Sequence, residues 1–171
     1  MTTSNKTQLK IVLANTQPDL GPPLRFVVCI NDQEIFKGEL RDKIVIEKTI
    51  DVISGDNFLS IEHTDRQDAN TKVDDDGAVI DTAMIDIVDL RINKIFFYPD
   101  NRTVDKNVFE PKYDNNFVEY ARRHDTKSNF PNEIKPTRHI GIMGKQKIYF
   151  LWPLHVHAFY YPVHERAGSK A

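Results

Sequence analysis

Short runs of β-branched and aromatic residues, broken at close intervals by turn-forming clusters, constrain this chain more than any other feature. In "LRFVVCI", residues 24–30, Leu24, Phe26, Val28 and Ile30 fall on one side of an extended chain, because strand side chains alternate between two faces. The runs 8–14 "QLKIVLA", 34–37 "EIFK", 43–50 "KIVIEKTI" and 57–64 "NFLSIEHT" have the composition that suits a pleated, half-buried surface. Asn31-Asp32 stands between two of them and predicts a tight hairpin. The longer run 82–97, "TAMIDIVDLRINKIFF", is rich in Ile and Phe without a clear helix cap. It predicts one bent strand or two, with a helix as the alternative. Closing strands are predicted at 146–152, "QKIYFLW", and 154–161, "LHVHAFYY".

Residues 98–145 differ in character. Four prolines and many Asn and Asp predict irregular structure, in which "NNFVEYARRH", 115–124, can make two or three helical turns. So long an irregular stretch is either functional or pinned against a partner. The expected fold class is therefore all-β: an antiparallel β-sandwich or jelly roll with a long irregular insertion and at most one short helix. A chain of 171 residues is expected to be one domain, 1–171, with core strands in about 8–97 and 146–161.

Composition narrows the partners. A formal charge of −2, with Lys and Arg scattered among Asp and Glu, gives no basic footprint for nucleic acid. Cys29 is alone, so no internal disulfide can form, and its place in an apolar run predicts a small buried hydrophobe. No stretch has the length of a membrane span, and the N-terminus lacks a signal-peptide pattern, so synthesis and folding in a reducing cytosol are expected.

The densest acidic stretch is "DRQDANTKVDDDG", residues 65–77, with five aspartates. It can be read as a calcium cradle, an acid/base site, or a solvated hairpin turning at "DDDG". Calcium takes six to eight oxygens, which Asp65, Asp68, Asp74 and Asp76 with loop carbonyls would supply. The order is not that of a helix–loop–helix calcium site: with Gly77 as the turn glycine, the first ligand position falls on Lys72 and the last on Ala83. Arg66 and Lys72 also bring positive charge that competes with a cation. Asp and Gly favour turns for backbone reasons alone, which supports the hairpin reading.

The passage "INDQEIFKGEL…SGDNFLSIEHTDRQDANTKVDDDGAVIDTAMIDIVDLRINKI" resembles the small jelly-roll carbohydrate-binding modules of the calcium-dependent xylan-binding type. With the ending "GIMGKQKIYFLWPLHV", it also resembles small uncharacterised proteins of tailed bacteriophages, particularly marine, cyanophage-like ones. The resemblance implies a sandwich scaffold, calcium as the one candidate cofactor at the acidic loop, and binding in place of catalysis. It leads to the expectation of a non-enzymatic virion protein, a capsid-decorating, neck or tail component. Its partners would be other virion proteins in symmetric multiple copies, with no nucleic acid and no membrane. The alternative is a module that binds host surface polysaccharide, with calcium assisting.

Two further constellations bear on function. His155 and His157 alternate on one predicted strand face and can share a metal ion, with His164 or His139 as third ligand. The cupin pattern fails, however, because Tyr149 stands where its glycine belongs and the next acidic residue, Glu165, lies well beyond the pair. The same alternation makes His155, His157, Phe159 and Tyr161 a polar-tipped aromatic face, suited to an interface or to sugar rings. Trp152 and Tyr98 are added as binding candidates, Tyr98 through its hydroxyl. No nucleophile elbow, phosphate loop or Cys pair is present, and carboxylate pairs among Asp74, Asp76, Asp81 and Asp86 are no more than any acidic stretch offers. No catalytic residue is assigned.

Overall fold

Alternation in the strands decides the architecture. The computed structural model describes residues 4–100, 106–124 and 129–154. In one five-stranded antiparallel sheet, β1 (Ser4–Asn15) lies between β4 (Lys43–Ile53) and β8 (Ile85–Ile92). The outer side of β8 pairs with the short strands β9 (Ile95–Phe96) and β11 (His139–Ile140). The other five-stranded sheet runs β10 (Val108–Pro111), β12 (Gly144–Trp152), β5 (Gly55–Asp65), β2 (Leu24–Ile30), β3 (Gln33–Leu40). A separate hairpin, β6 (Thr71–Val73) with β7 (Val79–Thr82), lies between β5 and β8 in the chain.

Inward residues of both sheets meet in one apolar cluster. Leu9, Ile11 and Leu13 of β1 and Ile85 and Ile87 of β8 pack with Phe26, Val28, Leu59, Ile61, Ile148 and Phe150 of the second sheet. Burial of side chains of this size is worth about 1.5–3 kcal/mol each, so these two faces supply most of the drive to fold. The expected all-β antiparallel sandwich is what forms. β2 keeps to the run that announced it, whereas others extend past theirs, because ladder hydrogen bonds continue where side chains are already polar: β4 reaches Ile53 and β1 begins at Ser4.

The 82–97 run forms two strands. Asn93 and Lys94 take φ of 50° and 66°, and Asn31 and Asp32 take 49° and 64°. Two successive positive φ values match the right-handed twist of the strands they join, so both pairs make tight hairpins. The expected strand at 154–161 lies, but for Leu154, outside the described residues.

The described parts of 98–145 are more ordered than its prolines suggest. They supply the edge strand β10, the helix α1 (Asn115–His124) and β11. Phe109 of β10 is buried and exchanges two backbone hydrogen bonds with Ile134, at 3.0 and 2.9 Å. Gln146, buried on β12, donates from Nε2 to the Pro99 carbonyl at 3.1 Å and accepts the Thr137 N–H at 3.1 Å. The segment is thus pinned to its own sheet. Among the described residues no helix is long and apolar enough to cross a membrane.

Two polar positions break the expected pattern. Cys29 is half-buried on the outward side of β2, where partial burial pushes its thiol pKa up, so it is not the core hydrophobe its sequence context predicts. His63 takes an inward position on β5, between Phe26 of β2 and Gly144 of β12. It is 0 % exposed, and neither ring nitrogen has a hydrogen-bond partner. Burial pulls its pKa below the usual histidine range; the backbones of Asp65 and Ile142 oppose this without meeting bonding geometry.

Candidate functional site

Where the chain leaves β5 for β8 it builds one wall of a cleft. Residues 68–70 form a 3₁₀ turn whose last member, Asn70, is 1 % exposed. Its Oδ1 accepts the Gln67 N–H at 3.1 Å, and its Nδ2 donates to the carbonyls of Leu20 at 3.1 Å and Pro22 at 2.8 Å. One amide thereby fastens the acidic stretch to the loop before β2. Gly21 makes that approach feasible: its φ is 76°, and a Cβ there would sit 2.4 Å from the Ala69 carbonyl oxygen.

Arg66 then ties the base of the hairpin, donating from Nη2 to Thr82 Oγ1 at 2.8 Å and to Thr71 Oγ1. Burial lowers the pKa of its guanidinium while the carboxylates of Asp114 and Asp68 raise it; arginine stays charged at neutral pH throughout. At the hairpin tip, Asp74 Oδ1 accepts the N–H groups of Asp76 at 3.0 Å and Ala78 at 2.8 Å. Asp74 is therefore the turn-former that "DDDG" announced.

The facing wall is α1. Asp114 caps it, accepting the Phe117 N–H at 2.7 Å, three residues into the helix. Tyr113 stacks on Phe117 with centroids 5.6 Å apart, and Phe130 meets Tyr113 edge-on at 5.2 Å. These rings hold the helix in place of a core face. Tyr120 Oη accepts the Val79 N–H at 3.1 Å and so joins the two walls.

Between the walls lies an open cleft of about 280 Å³. Arg66, Gln67, Asp68 and Asn116 offer planar polar groups along it, beside Val73, Val79 and the rings of Phe117 and Tyr120. Aromatic faces next to bidentate donors and acceptors can bind a flat-faced ligand rich in hydroxyls.

The residues singled out in the sequence are scattered by the fold. Asp65 ends β5 and ion-pairs with Arg25 at 3.2 Å, Asp68 stands at the cleft, and Asp74 and Asp76 are at the hairpin tip. Among the described residues no three His, Cys, Asp or Glu side chains are gathered as a metal would require. Asp81 accepts the Thr82 N–H at 2.8 Å, whereas Asp86 is engaged by Arg138 at 2.8 Å and lies 3.4 Å from His139, so these carboxylates face different partners. Trp152 is half-buried against the core, opposite Gly55, at the end of β5 remote from Asp65. Tyr98 is exposed and meets Phe96 edge-on at 4.8 Å. His155, His157, Phe159, Tyr161 and His164 lie outside the described residues.

Sequence reasoning missed the cleft itself. In the sequence Arg66 reads only as a charge competing with a cation, and α1 only as a helix. The one available signal was "YDNNFVEY": a capping Asp three positions before an aromatic that recurs after one helical turn.

No family model matches the chain, and no curated protein matches it. A solved structure described as "vCBM60 in complex with galactobiose" is similar to it in fold, with a TM-score of 0.45 and 8 % identity, over 82 % of this chain and 95 % of that one.

Proposed function

We propose that this protein is a non-catalytic glycan-binding module whose ligand lies in the cleft between the β6–β7 hairpin and α1. The observation that carries the reading is the lining: two aromatic side chains, Phe117 and Tyr120, beside the planar polar groups of Arg66, Gln67, Asp68 and Asn116. The apolar C–H face of a sugar ring stacks on aromatic rings, and its hydroxyls match amide, carboxylate and guanidinium groups in pairs. The cleft's two carboxylates, Asp68 and Asp114, both act on the Arg66 guanidinium, and Asp114 also caps α1.

Screening the protein on a glycan array, followed by titration calorimetry of the hits, tests the reading. Asp68→Ala and Asn116→Ala change exposed side chains and leave the fold intact; each should weaken binding at least fivefold. Hits whose affinity neither variant alters, or no hits at all, would end the proposal.

A second reading, docking onto the proteins of a phage particle, draws support from large apolar side chains left at the surface away from the cleft. Val45, Ile53, Leu151 and Tyr98 are exposed at 53, 38, 45 and 59 %. Val45 and Ile53 lie on the outward side of β4 and Leu151 on the outward side of β12, so such contacts would be spread over both sheets. Sedimentation of the protein with purified virions tests it, and a protein that stays monomeric and leaves particles unbound would exclude it. The two readings are compatible, as in a particle-bound protein that holds cell-surface glycans.

A further inference from the structure

The cleft does not end at Tyr120. A second basin of about 380 Å³ opens on the far side of that ring, lined by Asp76, Gly77, Asn116, Glu119 and Arg123. Tyr120 and Asn116 belong to both basins, so they form a saddle between two halves of one groove that follows α1. From Asp114 to Arg123 the helix advances roughly 14 Å at about 1.5 Å per residue, longer than a single sugar ring. The saddle is fixed, because Tyr120 Oη is held by the Val79 N–H at 3.1 Å.

Each basin has the same charge pattern. Arg66 faces Asp68 and Asp114 in the first, and Arg123 faces Asp76 and Glu119 in the second. In the second the pairing is direct, with Arg123 Nη2 lying 3.8 Å from Glu119 Oε2. One guanidinium against two carboxylates leaves each half with a net negative charge. A ligand carrying carboxylate or sulfate on every ring would meet that charge twice, and like-charge juxtaposition across an interface is costly.

We propose that the two basins form one elongated site that takes an internal stretch of an uncharged polysaccharide, with rings on both sides of Tyr120, and turns polyuronates away. This rests on the glycan-binding reading and adds length and charge selectivity to it. The hairpin tip thereby acquires a role in recognition: its turn aligns Asp76 and Gly77 with α1.

The test is calorimetry with neutral oligosaccharides of one to six rings from the best array hit, and with uronic-acid oligomers of equal length. Affinity should rise at least tenfold between one ring and three and then level off. Uronic-acid oligomers should bind at least tenfold more weakly, with the gap narrowing when Asp76→Asn and Glu119→Gln are combined. Arg123→Ala should weaken the trisaccharide by a larger factor than the monosaccharide. Length-independent affinity, or equal or better binding of uronates, would overturn the two-basin site while leaving glycan binding intact. A protein that binds no glycan of any length would instead remove the reading beneath it.

Discussion

Replacing Asn70 with alanine probes the joint on which the first wall of the cleft depends. The side chain is 1 % exposed and makes three hydrogen bonds, to the Gln67 N–H and to the Leu20 and Pro22 carbonyls. A typical intramolecular hydrogen bond contributes about 1 kcal/mol net, and a buried partner left unsatisfied costs about 1–3 kcal/mol. Asn70→Ala should therefore destabilise the protein by about 3 kcal/mol, which for a chain of this size lowers Tm by roughly 6–12 °C. Asn70→Asp gives a sharper comparison. It keeps an acceptor for Gln67 but turns a carboxylate toward two carbonyl oxygens, so it should lose at least as much as alanine despite its near-identical shape. Urea titrations of the three proteins, monitored by tryptophan fluorescence and far-UV circular dichroism, measure the differences. A loss under about 1 kcal/mol for alanine, or an aspartate variant as stable as the parent, would refute the assignment of Asn70 as a buried clamp.

Three further outcomes are expected. Because the folded-state pKa of His63 lies below its unfolded value of about 6.5, the unfolded chain binds more protons in acid. The penalty for burying it neutral is therefore absent above about pH 6.5, where stability is fully present, and stability should fall as pH drops below that point, by at most about 1.4 kcal/mol per pH unit. His63→Leu should flatten the curve between pH 6.5 and 5 in urea denaturation, and unchanged curvature would clear the imidazole of the effect. Gly21→Ala forces a side chain into positive φ, at about 1–2 kcal/mol, and against the Ala69 carbonyl besides; melting should drop by several degrees, and an unchanged Tm would mean that the loop moves freely. Since Asp65 is paired with Arg25 and Asp74 with turn N–H groups, millimolar calcium should leave Tm within about 1 °C, and a rise of several degrees would reveal a site that these contacts do not predict.

The sandwich was readable because its determinants are local. Period-two burial in 24–30 survives intact from sequence to fold, with Leu24, Phe26, Val28 and Ile30 all buried. The 82–97 run left helix and strand in competition because Asn93-Lys94 is a weak turn signal by composition; only the positive φ at both positions makes it a hairpin. The cleft was hidden for a different reason. Arg66 and Asn116 are fifty positions apart, and nothing local in either segment says that the hairpin and the helix face each other. Asn70 looked like one more turn-former in an acidic stretch, yet its partners lie near residue 20. The aspartates drew attention by their density, and density says nothing of where each carboxylate points.

Gln146 gives the molecule a seam. Because the same buried amide grips Pro99 with its nitrogen and Thr137 with its oxygen, both at 3.1 Å, the excursion bearing α1 departs and returns at one spot on the sandwich. Between those anchor points β10 still belongs to the second sheet and buries Phe109, so only the part between β10 and the Ile134 bridge, which bears α1, is an attachment to that scaffold. Exchanging that part for one of another length, with β10, Ile134 and Gln146 retained, should recast what the protein grips while the two-sheet body folds as before.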